Sequence, residues 1–201
     1  MNFTSAAVPS LEHFRDYSRR LSIVLENFDW TPVEQLAGDL LQCWRSGAQV
    51  FLAGNGGSAG NANHIANDLL YPLSKRKGSG IRVHALTANP AVLTCLANDE
   101  GYENVFAYQL ATLARPGDIV LALSGSGNSP NILRLLEEAR RIEVKSYAVV
   151  AYSGGKAKQL ADVPIHFAID DMQIAEDTQL IIGHMLMQWL CSKRDSVTDG
   201  M

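Results

Sequence analysis

Two stretches decide the reading of this chain: Val50-Phe51-Leu52-Ala53 running into Gly54-Asn55-Gly56-Gly57-Ser58, and Ile119-Val120-Leu121-Ala122-Leu123 running into Ser124-Gly125-Ser126-Gly127-Asn128-Ser129-Pro130. In each, a short apolar run ends in a loop of glycine and hydroxyl residues, and a helical pattern begins directly after it. Such a loop presents free backbone N–H groups at the positive end of a helix dipole, where a phosphate or similar anion binds best. Adjacent strands of an open sheet aim loops of this kind at one crevice. The pair therefore predicts a small phosphorylated ligand held at the strand ends. Ser129 is expected to cap the second helix with Pro130 in its first turn, leaving Ser124, Ser126 and backbone N–H groups for the oxyanion.

Outward from these loops, apolar runs alternate with helical stretches. The runs are Gln49–Ala53, Ile81–Leu86, Asp118–Leu123, Ser146–Ala151 and Ile165–Ile169, rich in Val, Ile and Leu and without strict alternation. That pattern suits parallel strands buried on both faces and joined by right-handed crossovers. Before them, helical spacing covers Leu11 to Phe28, and Trp30-Thr31-Pro32 starts a second helix that ends near Gly47. The chain closes on a helix of about Ile174 to Lys193, apolar nearly all round, which is expected to lie between subunits. The expected fold is α/β, a three-layer sandwich with a five-stranded parallel sheet, flavodoxin-like. The domain spans 1–201, with an N-terminal helical pair at 9–46 and an α/β core at 47–201.

Composition narrows the function. The chain has 201 residues, 47% hydrophobic and 19% charged, with a formal net charge of −4. This is the profile of a globular protein, and its charge argues against a nucleic-acid partner. The one basic run, Lys75-Arg76-Lys77, reads as a solvated loop. Cys43, Cys95 and Cys191 have no CxxC spacing and are expected to be reduced and buried, in the cytoplasm. No signal peptide or membrane span is expected. Gly54-x-Gly56-x-x-Ala59 also fits a dinucleotide fingerprint, but the next run ends His84-Ala85-Leu86-Thr87 without the carboxylate that a ribose requires. No organic cofactor is expected.

The helix opened by the first loop carries Asn61, His64, Asn67 and Asp68 on one stripe and Ile65, Ala66 and Leu69 on another. His184 lies in the closing helix with Glu176 upstream. Two histidines and two carboxylates suit Zn²⁺, but eight residues of helix, about 12 Å of rise, separate Glu176 from His184. Both reach one ion only if the helix starts after Glu176 or if two subunits share the site.

Gly54-Asn55-Gly56-Gly57-Ser58, His64, Ala97-Asn98-Asp99-x-Gly101-Tyr102-Glu103, Ser124-x-Ser126-Gly127-Asn128-Ser129 and Gly183-His184 together resemble the sugar isomerase (SIS) domain family. Within it they resemble the isomerases of phosphorylated heptoses. The resemblance implies aldose–ketose interconversion of sedoheptulose 7-phosphate by a homotetramer, with zinc at the site. It implies a phosphate cradle of Ser124, Gly125, Ser126 and Ser129, and sugar contacts from Asn55, Gly56, Gly57, Ser58, Asn98 and Asp99, with Asp68 and Glu176 also touching substrate. By the same resemblance Asp68, Glu176 and His184 are the catalytic set, and His64, Asp68, Glu176 and His184 the metal ligands. Asp68 stands where the family has a glutamate, Glu176 where it has a glutamine, and Pro72 where it has an arginine. These exchanges keep two alternatives open: a non-catalytic sugar-phosphate sensor or adaptor, and an isomerase of another phosphorylated sugar.

Overall fold

A computed structural model of the chain describes residues 10–71 and 73–198; Pro72, one of the departures noted above, lies outside them. Helices α1 (Leu11–Glu26) and α2 (Thr31–Ser46) precede an alternating core of β1 (Gln49–Gly54), α3 (Gly57–Leu70), β2 (Arg82–Ala85) and α4 (Pro90–Asp99). A short 3-10 turn, Tyr102–Asn104, and α5 (Ala107–Leu113) lead to β3 (Ile119–Ser124), α6 (Pro130–Arg141) and β4 (Lys145–Val150). Then come α7 (Ala157–Leu160), β5 (Val163–His166), α8 (Met172–Ser192) and α9 (Asp195–Thr198). The five strands form one parallel sheet in the order β2-β1-β3-β4-β5.

Each face of the sheet carries its own core. Leu36, Leu40, Ala62, Ile65, Leu69, Ile182 and Leu186 from α2, α3 and α8 cover one face. Phe106, Leu110, Ile132, Leu135 and Leu136, from the 105–110 segment and α6, cover the other. The layers are helix, sheet and helix, as the run-and-helix alternation predicts. No described helix is long and apolar enough to cross a membrane.

The edge strands depart from the expectation of burial on both faces. In β2 exposure alternates, with Arg82 and His84 outward, because only β1 pairs with it. The fifth strand begins at Val163, before the run read from sequence, and contains Pro164. Proline removes a ladder donor, which an edge strand tolerates and a central one does not. The closing helix buries one stripe, Ile174, Ala175, Thr178, Gln179, Ile182, Gly183, Leu186 and Leu190. Its other side leaves Met185 and Trp189 exposed. Of the cysteines only Cys43 is buried. Cys95 is exposed because α4 lies outermost on its layer and buries none of its residues.

Helix α1 also buries no residue. Phe28, just beyond it, stacks on Phe167 with ring centroids 3.9 Å apart. Val24 and Leu25 of α1 also pack against the core, and polar contacts add to these. Arg20 reaches the N-cap Asp171 of α8 at 2.6 Å and Asp16 at 3.1 Å, and the Tyr17 hydroxyl donates to Asp177. The Arg20 hydrogen bond, helped by the Ile174 N–H, holds the Asp171 carboxyl below its ordinary value. Burial, and then Asp177, pushes the Tyr17 hydroxyl up to about 12.

Both shifts carry a sign. The depressed Asp171 contributes docking stability that is present above the ordinary carboxylate value of 3.8 and lost as pH falls below it. The raised Tyr17 contributes stability that is present below 10.0 and lost as pH climbs toward about 12. Arg20→Ala is therefore expected to speed proteolytic clipping of α1 several-fold near neutrality. Under pepsin, the difference between wild type and variant should shrink as pH falls below 3.8. Equal clipping near neutrality would remove the Arg20–Asp171 pair from this role.

Candidate active site

The crevice forms where strand order reverses. Strand β1 pairs with β2 on one side and β3 on the other, with Gly54 level with Leu123. Helix α3 leaves toward one face of the sheet and α6 toward the other, so the loops after β1 and β3 open onto the same space. That space is a cavity of about 270 Å³ lined by Asn55, Gly56, Gly57, Ser58, Leu123, Ser124, Gly125, Ser126, Ser129, Met172 and Glu176. A larger groove of about 830 Å³ lies along the β2 edge and α4. It is mainly apolar and neither loop opens into it, so volume is the poorer guide here.

Within the second loop, Ser124 Oγ accepts from the Gly127 N–H at 3.2 Å and Ser126 Oγ accepts from the Asn128 N–H at 3.3 Å. Both oxygens are used as acceptors by the turn, which leaves their hydroxyl hydrogens for a ligand. Ser129 occupies the N-cap position of α6 but makes no capping bond with its side chain, contrary to the sequence expectation. Its own carbonyl takes the Ile132 and Leu133 N–H groups, at 3.0 and 3.1 Å, while the residue lines the cavity. No lysine or arginine lines the cavity among the described residues. An anion there is met by hydroxyls, N–H groups and helix dipoles rather than by cations.

Asn55 is less free than a ligand contact would be. Its Nδ2 donates to Asn131 Oδ1 at 2.9 Å, and its Oδ1 accepts from Asn131 Nδ2 at 2.8 Å and from the Tyr102 hydroxyl at 3.0 Å. Sequence reasoning missed Asn131, which is 1% exposed. Nothing in a local pattern separates it from any polar residue in a first helical turn. Asn98 and Asp99 do not line the cavity: Asn98 donates to Asp99 at 2.7 Å, and Cys95 Sγ lies 3.5 Å from the other Asp99 oxygen.

A second cluster lies further along α3 and α8. His64 Nε2 and His184 Nε2 are 3.0 Å apart, and Asp68 Oδ2 is 3.5 Å from the first and 3.9 Å from the second. One oxygen or nitrogen from each residue falls within 4.8 Å of the others. Two imidazoles and one carboxylate at such spacing could hold a metal ion. Glu176 does not join this group within the chain. The helix begins at Met172, before Glu176, so the eight-residue separation is helical throughout and amounts to about 12 Å. Instead, the Glu176 carboxylate lies over Gly57: a Cβ built there would come within 2.2 Å of it.

The SIS domain profile matches residues 12–151. The chain belongs to the SIS-domain family. Among its relatives, the phosphoheptose isomerase of Akkermansia muciniphila is 35% identical over 158 residues, 78% of this chain and 82% of that protein. The probable phosphoheptose isomerase of Thermoplasma volcanium is 33% identical over 90% of each chain. A phosphoheptose isomerase structure from Francisella tularensis superposes with a TM-score of 0.85 at 27% identity, covering 92% of this chain and all of that one. The corresponding structure from Neisseria gonorrhoeae gives 0.81 at 26% identity, covering 90% and 96%. This SIS-domain chain is an aldose–ketose isomerase of the phosphoheptose isomerase type.

Two glycines of the SIS-domain site separate its chemistry from its stability. At Gly57 an added Cβ meets only the movable end of Glu176, whereas at Gly127, with φ +64, it meets the Gly154 carbonyl at 2.1 Å. Gly57→Ala is expected to displace Glu176 and cut turnover at least tenfold while urea unfolding stays near wild type. Gly127→Ala should cost at least about 2 kcal/mol in the same unfolding measurement, through left-handed strain and backbone overlap. The reverse pattern would mean that the two close approaches have been misread.

Proposed function

We propose that the chain interconverts sedoheptulose 7-phosphate and an aldoheptose 7-phosphate, as a single SIS domain with an N-terminal helical pair. The observation that carries the reading is the convergence of both anion loops on one cavity beside α3 and α8, in a chain 33–35% identical to phosphoheptose isomerases. The phosphate sits among Ser124, Ser126, Ser129 and the N–H groups of the loop, with the sugar chain held by Asn55, Gly56, Gly57 and Ser58; Asn98 and Asp99, outside this cavity, are left without that role.

The reaction moves one proton between the first two carbons. A carboxylate, Asp68 or Glu176, takes the proton from the carbon beside the carbonyl, and the C–H electron pair becomes the C=C bond of an enediol. The carbonyl oxygen gains a proton as the pair shifts, and His184 relays protons between the two oxygens from the opposite side. Returning the carbon-bound proton to the neighbouring carbon completes the isomerisation. His64, Asp68 and His184 would hold Zn²⁺, which would polarise an oxygen of the substrate; with those groups so engaged, Glu176 would be the carboxylate that takes the proton.

A homotetramer is supported by what the single chain leaves uncovered. Leu11, Phe14 and Ile23 of α1, Leu70 and Tyr71 at the end of α3, and Met185 and Trp189 of α8 are all exposed. The His64 and His184 side chains are 48% and 49% exposed, a wet setting for proton transfer. A second subunit over this face supplies the cover and is the remaining route for Glu176 to reach a histidine pair. A cytoplasmic location is supported by three free cysteines.

Incubation with sedoheptulose 7-phosphate, following aldose formation, is the direct test. Turnover is expected, and His184→Gln should lower kcat at least a hundredfold with phosphate-ester binding retained. Turnover of other ketose phosphates alone would redirect the substrate. Binding without any turnover would make the protein a sensor or adaptor. Elemental analysis of protein purified without added metal should find about one zinc per chain; full activity with far less would remove the metal from the reading.

A further inference from the structure

The two anion loops are joined by a polar bridge that the proposed chemistry does not use. Asn131, buried in the first turn of α6, and Asn55, in the loop after β1, exchange two amide hydrogen bonds of 2.8 and 2.9 Å. Of the two residues, only Asn55 lines the cavity. A reciprocal amide pair fixes separation and orientation together, because both amide planes must align for both bonds to form. The Tyr102 hydroxyl adds a third bond to the same Asn55 oxygen, at 3.0 Å. Tyr102 belongs to the 3-10 turn that follows the Asn98–Asp99 end of α4. The bridge thus ties the loop after β1 both to the helix opened by the loop after β3 and to the segment that follows α4.

We propose that Asn131 is a positioning residue for the phosphate subsite: paired with Asn55, it sets the gap between the two loops that must close on one anion. Nothing else among the described residues joins their side chains so directly. The loops leave the sheet with helices on opposite faces, so covalent geometry alone does not hold the gap. Losing the bridge lets the Asn55 loop relax away from Ser124 and Ser126, and it leaves a buried amide unpaired. Binding of the anion should suffer, while the carboxylates and histidines on α3 and α8, held by their own helices, stay in place. The inference rests on the cavity being a phosphate subsite, although not on which sugar carries the phosphate.

The experiment measures inorganic phosphate binding by calorimetry and sugar-phosphate kinetics for wild type, Asn131→Ala, Asn131→Asp, Asn55→Ala, Tyr102→Phe and the Asn55→Ala/Asn131→Ala double variant. Asn131→Asp keeps the shape but places two acceptor oxygens face to face, so it should behave like Asn131→Ala. Both should raise the phosphate Kd and the substrate KM about tenfold, the scale of one buried amide left unpaired, with kcat changed less than about threefold. Tyr102→Phe should raise both constants two- to threefold. The double variant should bind phosphate no worse than the poorer single variant, because both break the same bridge. A purely architectural Asn131 would lower the melting temperature and leave Kd and KM of the folded enzyme unchanged, which overturns the proposal. So does an additive double variant. Wild-type phosphate binding without heptose isomerisation overturns the proposed substrate and leaves this test intact, whereas wild-type failure to bind phosphate overturns both.

Discussion

The parallel pairing of β1 with β3 is the constraint on which the site depends. It aligns Gly54 with Leu123, so two neighbouring backbones, about 4.8 Å apart, finish at the same height and release their loops together. Strand β1 then connects outward to β2 and β3 connects outward to β4, and the reversal leaves no crossover helix above the shared end. Shift this register by a residue and the strand faces exchange. If β1 slipped, Leu52 would leave one core and Phe51 the other, and the loops would lose their common level. The burial of the sheet and the geometry of the anion cavity are therefore the same fact.

Helices α3 and α8 extend that geometry in one direction. Asn61 donates to the Glu176 carbonyl and to Gln179, and His64 meets His184. Contacts that advance together along both helices mean that the two run parallel, starting beside the cavity. On the proposed reading the phosphate end of a ligand lies at the first turns, and the His64–Asp68–His184 group lies about two turns further on. Anion holding falls to backbone and hydroxyl groups rooted in the sheet. The titratable groups stand on a helix pair whose outer face is open.

How much of this could be read from residues follows the range of the interactions. The central strands and both loops declare themselves, because a doubly buried strand must be apolar and a tight phosphate turn must be small and hydroxylated. The Ile65, Ala66 and Leu69 stripe likewise needs only helical periodicity, and all three are buried. The fifth strand was obscured by Pro164, since a proline argues against a strand unless its edge position is known. Asn131 and the missing Ser129 cap were hidden for a different reason. Asn131 acquires its bridge from Asn55, 76 positions away in the chain, and Ser129 lines the cavity without making a capping bond, which no local pattern announces. Glu176 was the hardest: its spacing to His184 warned against a shared ion, yet only the start of α8 at Met172 decides the matter within one chain.

The exchanges at Asp68 and Glu176, one of length and one of charge, have a physical direction. Asp68 is the shorter carboxylate, and it sits 3.5 and 3.9 Å from two imidazole nitrogens that are themselves 3.0 Å apart. Two neutral imidazoles so placed can share one hydrogen, and two charged ones would repel. Together with the carboxylate beside them the imidazoles form a donor set that could hold a metal ion. Glu176 brings the opposite influence to the cavity, a negative charge beside the place where an anion must sit, with no basic side chain lining the walls to offset it. The carboxylate at the cavity repels phosphate while the loops attract it. If the cavity holds phosphate as proposed, affinity there depends on how closely the neutral donors converge, and so on the spacing of the two loops rather than on any single charged contact.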